Sequence, residues 1–135
     1  MASIYGYLEK DSLTAEYYQK VVDIQENNYS AFGSLGWYRY KTGEYEKSIE
    51  ASKKALAIKS DELWIKCNLA LAYLHTEKIK EAQEEYDKAV KLVKSVEELD
   101  KYVLIDLEDA ITKNPDLPGA VEIINKMEHI GKFSG

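Results

Sequence analysis

The chain has 135 residues, 45% of them hydrophobic and 31% charged, which suits a folded protein with a core and excludes a disordered chain. A net charge of −6 argues against nucleic-acid binding, which needs clustered positive charge. A single cysteine, Cys67, excludes an intramolecular disulfide, and no apolar run approaches the roughly 20 residues that would span a bilayer.

The charge is unevenly placed. Residues 1–60 carry eight acidic and eight basic side chains, whereas residues 61–135 carry sixteen and ten. Proline is confined to Pro115 and Pro118 and glycine is sparse, so helices are favoured over a turn-rich β architecture. The first residues, Met1-Ala2-Ser3-Ile4-Tyr5, lack a basic stretch followed by an apolar one, so a signal peptide is not expected and the chain reads as cytoplasmic.

In chain order, a short stretch at Ile4–Leu8 precedes Asp11-Ser12, which reads as the cap of a helix carrying Leu13, Tyr17, Tyr18, Val21, Val22 and Ile24. Residues 30–41 and 47–59 each place apolar residues at three- and four-residue steps, the mark of amphipathic helices. Between them Thr42-Gly43-Glu44 is a helix stop, with Gly43 suited to the left-handed position that follows a helix. Ser60-Asp61-Glu62 offers a cap for the next helix. Residues 97–113 predict a long helix with Leu99, Tyr102, Val103, Leu107, Ala110 and Ile111 on one side. Asn114-Pro115-Asp116-Leu117 breaks it, and Pro118 is placed at the first turn of a last helix burying Val121, Ile124 and Met127.

Two of these segments superpose at a spacing of 34 residues. Leu35 shifts onto Leu69, Gly36 onto Ala70, Tyr45 onto Ile79, Ala55 onto Ala89, Leu56 onto Val90 and Ile58 onto Leu92. The first unit reads Phe32-x-x-Leu35-Gly36, Gly43-x-Tyr45, Ile49, Ala55-Leu56 and Ile58. The second reads Leu69-Ala70-x-x-Tyr73, Ile79, Ala82, Tyr86, Ala89-Val90 and Leu92. This pattern resembles the tetratricopeptide repeat, in register twice and at that family's own period.

The resemblance implies an all-α fold of helix–turn–helix repeats wound into a short right-handed superhelix, an α-solenoid. Residues 1–135 then form one domain: an incomplete repeat over 1–28, repeats at 29–62 and 63–96, and a divergent or capping pair over 97–130. Leu104 stands in that last pair where glycine or alanine is expected.

The resemblance also implies which residues face the concave groove. They are Ser30, Gly33, Ser34, Trp37, Tyr40 and Lys41; then Trp64, Cys67, Asn68, Leu71, Leu74 and His75; then Glu98, Lys101, Tyr102, Ile105, Glu108 and Asp109. Ser34, Trp37, Tyr40, Lys41, Trp64, Asn68, Leu71, His75 and Tyr102 are the candidate peptide-binding set. Clustered aromatics of this kind anchor protein partners. The alternative is that the tryptophans pack on neighbouring repeats or on the N-terminal helix. Asn68 matches the amide with which the family holds a peptide backbone, or else makes only local bonds.

The family's chaperone-tail clamp is not expected. Gly33 and Trp37 replace its first lysine and asparagine, Asn68 matches, and Glu98 and Tyr102 replace its last two bases. Arg39, the one arginine, reads as a stem that packs with its head in solvent, and otherwise as an ion-pair partner.

No catalytic or metal constellation emerges. His75 and His129 are far apart, and Cys67 and His75 lie more than two helical turns apart, too far for nucleophile activation. Glu84-Glu85 and Glu97-Glu98 read as solvated helix faces, and no glycine-rich phosphate loop follows a strand. The expected function is therefore a non-enzymatic scaffold or adaptor, without cofactor, holding a protein or peptide partner. Self-association, or service as a regulatory part of a larger protein, is the alternative.

Overall fold

A computed structural model describes the backbone of residues 4–134 and the side chains of 9–95 and 97–127. The readings of Met1-Ala2-Ser3, of the side chains at Ile4–Leu8 and of His129 lie outside the described residues. The backbone is helical throughout, with no strand among the described residues: α1 (Ile4–Ile24), α2 (Tyr29–Lys41), α3 (Tyr45–Ile58), α4 (Leu63–His75), α5 (Ile79–Leu92), α6 (Val96–Glu98), a π-helical segment (Leu99–Leu104), α7 (Ile105–Lys113) and α8 (Ala120–Ser134). Neighbours in sequence pack as neighbours in space, with α1 on α2, α2 on α3, α3 on α4 and α4 on α5. This is the expected all-α helical-repeat solenoid. No helix among the described residues is long and apolar enough to cross a membrane.

α1 departs from expectation. It is one 21-residue helix that runs straight through Asp11-Ser12, so those residues cap nothing. Helical continuity wins because the flanking residues lack the glycine or proline that would break it. Ala15 and Val22 are buried against Ala31, Leu35 and Ala51, and Tyr18 stacks on Tyr38 with ring centroids 5.9 Å apart. Asn28 then caps α2, its side-chain oxygen accepting from the Ala31 N–H at 3.0 Å.

The α2–α3 and α4–α5 turns share one geometry. Gly43 N–H donates to the Tyr40 carbonyl and Glu44 N–H to the Arg39 carbonyl; 34 residues later Glu77 N–H donates to Leu74 and Lys78 N–H to Tyr73. These paired bonds satisfy the last carbonyls of each helix and demand a left-handed residue at their centre. Gly43 takes φ +81° without strain, whereas Glu77 is forced to φ 62°. Around the first turn Arg39 pairs with Glu44 at 2.9 Å, and Thr42 Oγ1 donates to the same carboxylate. The guanidinium is therefore locked to an acid rather than left in solvent. Burial pushes the Glu44 carboxyl up, but hydrogen bonds from Arg39 and Thr42, the guanidinium charge and Lys47 outweigh it and hold the carboxyl low.

Small residues set the helix spacing. Ser48 Oγ donates to the Gly36 carbonyl at 2.7 Å, a contact that requires two backbones in near touch. A Cβ on Gly36 would stand 2.5 Å from Ser52 Oγ and 3.2 Å from the Ser48 carbonyl oxygen. In the next unit Ala70, Ala82 and Ala89 are fully buried at the same seam. α4 is the centre of the molecule, with nine of its 13 residues buried, and so is apolar nearly all round. Its N-cap is Glu62, within the Ser60-Asp61-Glu62 stretch expected to supply it, but without a side-chain capping bond; the Glu62 carboxylate pairs with Lys59 at 2.7 Å.

The third long rod, residues 96–113, keeps helical backbone angles across both of its junctions. Within it the chain widens to a π turn, with the Ile105 N–H donating to the Asp100 carbonyl. The wider turn lets the adjacent Val103 and Leu104 both reach the core beside Leu99, Leu107 and Ala110. Leu104 thereby stands where glycine or alanine was expected. After the break at Asn114, Pro118 does not open the last helix. Gly119, at φ +79°, intervenes, and α8 begins at Ala120. α8 buries Ala120, Ile123 and Met127; of the residues expected to be buried, Met127 is, Ile124 is half-buried and Val121 is exposed.

Two substitutions test this account from opposite sides. Glu77→Gly relieves the left-handed strain and is expected to gain about 0.5–1 kcal/mol. Gly36→Ala wedges the seam at a cost of about 1–3 kcal/mol, offset by about 1 kcal/mol of helix propensity, for a net loss of up to about 2 kcal/mol. Urea unfolding midpoints of the two variants should therefore move in opposite directions.

Candidate functional site

The C-terminal turns of α2, α4 and α7 converge with the start of α3 and with Asp11 of α1 around one cavity of about 830 Å³. α2 contributes Trp37, Tyr40 and Lys41; α3 contributes Tyr45; α4 contributes His75; α7 contributes Asp106, Asp109, Ala110 and Lys113, followed by Asn114. The size is that of sites which enclose several side chains.

One wall is a continuous aromatic stack. Trp37 and Tyr40 lie nearly parallel with centroids 5.4 Å apart, as the i, i+3 spacing on α2 allows. Tyr45 stacks on the His75 ring at 4.5 Å and 11°, and Tyr40 meets the same imidazole edge-on at 5.3 Å. The Tyr40 hydroxyl and His75 Nε2 are 3.1 Å apart and share a hydrogen bond. The bond joins α2 to α4 within this wall and holds the Tyr40 ring.

Electrostatics follow from partial burial. Burial lowers the pKa of His75, so the neutral ring is favoured near neutrality. Burial, then Tyr45, Asp106 and Asp109, push the Tyr40 phenol well up, keeping it protonated. Asp106 is raised by burial first and by the neighbouring Asp109 second. Lys41 pairs with Asp11 at 3.4 Å and Lys113 with Asp109 at 3.1 Å.

The nine candidate residues divide. Trp37, Tyr40, Lys41 and His75 line the cavity. Ser34 is half-buried on α2 outside it, Leu71 is buried in the core, and Asn68 is only 5% exposed. Trp64 lies against the α2 backbone, where a Cβ on Gly33 would come within 2.5 Å of its Cη2, so this ring packs on the neighbouring repeat. Tyr102 is exposed beside Lys101 and away from the cavity. Of the residues expected to face the groove from the third rod, Asp109 lines the cavity; the face turned to it runs through Asp106, Asp109, Ala110 and Lys113, one residue on from Ile105, Glu108 and Asp109. That offset is what a π turn, which inserts one extra residue, produces.

Tyr45, Asp106, Lys113 and Asp11 were not anticipated. Tyr45 occupies a repeat-signature position and so reads as core. Asp11 reads as a cap until α1 is seen to continue through it.

A second cavity, of about 210 Å³ between α1, α2 and α3, is lined by Arg39, Lys47 and Lys54, each already paired with Glu44 or Glu50. Cys67 is buried and its thiol is pushed up to about 12 by burial, with Asp106 adding to the effect, so it is chemically quiet. No group of three or more potential metal ligands occurs among the described residues.

A tetratricopeptide-repeat family model matches residues 29–62 and 65–92, the two units whose turns and seams coincide above. Residues 29–62 and 65–92 are two tetratricopeptide repeats. Such repeats generally mediate protein–protein interaction, and their fold is typically a non-catalytic scaffold. None of the curated proteins matches the chain significantly.

The half-buried His75 gives a test of this geometry. A lowered folded-state pKa means that the unfolded chain takes up the proton first as pH falls. Stability is therefore full above about pH 6.5 and is lost as acidification proceeds through and below that value. Between about pH 7.5 and about pH 5 the wild type should lose more stability than His75→Gln, as read by urea unfolding at both pH values. An equal loss would place His75 in solvent.

Proposed function

We propose that the protein is an interaction module that holds a segment of a partner polypeptide in the cavity bounded by α2, α4 and α7. The observation that carries this reading is the Trp37–Tyr40–His75–Tyr45 stack, an aromatic wall left open on a cavity large enough for several side chains. Large, rigid aromatics lose little conformational entropy on contact and dominate binding where they are found. Sequence charge supports a protein rather than a nucleic-acid partner, since the chain is acidic. Cys67, with no cysteine to pair with, is in keeping with a reducing compartment such as the cytoplasm. No catalytic role is included in this reading: the one histidine in the cavity bonds to a phenol, and the one thiol is buried.

Selection of a random peptide display library on the immobilised chain, followed by affinity measurement of the selected peptides, tests the proposal. Trp37→Ala is expected to weaken binding roughly thirty-fold, the counterpart of a hot-spot loss of about 2 kcal/mol. Tyr102→Ala, which removes an exposed ring outside the cavity, should leave affinity unchanged. The reverse pattern would move the binding surface to the face that carries Tyr102.

A further inference from the structure

The cavity holds an imbalance of charge. Its two lysines are both engaged, Lys41 with Asp11 and Lys113 with Asp109, while Asp106 makes no ion pair with any described residue. Asp106 is half-buried in the wall and faces the same space as the rings of Trp37, Tyr40 and Tyr45. Burial and the neighbouring Asp109 both disfavour its charged form, so the free protein carries a carboxylate that a cation would relieve.

Two further features act in the same direction. α2 and α4 present their C-terminal turns to the cavity, and the partial negative charge of helix C-termini favours a cation beside them, whereas Asp106 adds its charge from the first turn of α7. The faces of the aromatic rings carry negative quadrupole density, which attracts ammonium and guanidinium groups within about 6 Å.

We propose that the groove accepts a basic segment of a partner polypeptide, with an arginine or lysine side chain seated along the Trp37–Tyr40 wall and its head on Asp106. This rests on the reading of the cavity as a peptide site and specifies its occupant. The methylene stem lies on the rings while the charged head forms a charge-assisted hydrogen bond with the free carboxylate. An acidic segment would set its carboxylates against Asp106 and Asp109. A second copy of this chain is disfavoured by its net charge of −6.

The composition of peptides selected from a random display library on the intact chain tests the proposal. Peptides that depend on Trp37 should be enriched in arginine or lysine, and replacing that residue with norleucine should weaken them about tenfold or more. Asp106→Asn should weaken the same peptides comparably without lowering the melting temperature, and Asp106→Glu should restore much of the binding. Far-UV circular dichroism establishes that both variants fold. Trp37-dependent peptides without a basic residue, indifferent to Asp106→Asn, would overturn the basic-segment proposal and leave the peptide groove standing. If no selected peptide depends on Trp37, both readings fall. Concentration-dependent dimers in sedimentation velocity, weakened by Trp37→Ala, would assign the cavity to a second copy and overturn the proposal as well.

Discussion

The contact between Gly36 and Ser48 sets the geometry on which the rest of the molecule is built. A hydroxyl on α3 reaches a helical carbonyl on α2 at 2.7 Å, which is feasible only because position 36 has no side chain. The same economy recurs at Ala70, Ala82 and Ala89. With the helices of each pair held this close, the pair becomes a flat unit, and successive units stack with their first helices side by side. Those helices then run in one sense, and α2, α4 and α7 end at the same side of the molecule. The cavity is the consequence. It is formed by three helix ends that a 34-residue repeat brings into line.

That placement decides the chemistry available. Helix ends offer carbonyl oxygens and partial negative charge, and residues at the ends of α2 and α4 lie where the stack is least covered. Rings placed there can close a wall without being swallowed by the core. The Tyr40–His75 bond pins the wall between two repeats, so any motion of one unit against the other would move the rings. The part of the lining that comes from α7 is polar and carries Asp106, the one carboxylate of the cavity without an ion pair among the described residues. A half-buried charge of this kind opposes folding slightly, in the way that binding surfaces often do at the expense of the free protein.

The repeat itself was legible in the sequence because its causes are local. Small residues at Gly36, Ala55, Ala70 and Ala89, and the stop at Gly43, recur at a fixed spacing and have one physical explanation each. The Glu77 turn was hidden, since a left-handed residue other than glycine leaves no compositional mark. α1 was misread at Asp11-Ser12 because a capping pair and a helix-surface pair look alike until the neighbours are known. The groove was half legible. Trp37, Tyr40, Lys41 and His75 follow from counting along a regular repeat, but Trp64 and Asn68 fall where packing between repeats covers them. Beyond Leu99 counting still reaches Asp109 but misses Asp106, Ala110 and Lys113, because the π turn moves the later positions on by one and no sequence rule announces it. Asp106 and Lys113 could be found only in three dimensions.

The two tryptophans allow the central claim, that the aromatic cavity is the binding surface, to be measured directly. Trp37 lines the cavity and Trp64 lies packed on Gly33 outside it. Their indole N–H groups give separate signals in a proton–nitrogen correlation spectrum. On titration with an arginine-containing peptide selected on the chain, the Trp37 indole and the backbone amides of Tyr40, His75 and Asp106 should shift together to saturation, while the Trp64 indole stays in place. Saturable shifts at Trp64 or along α5, with Trp37 unmoved, would contradict the account.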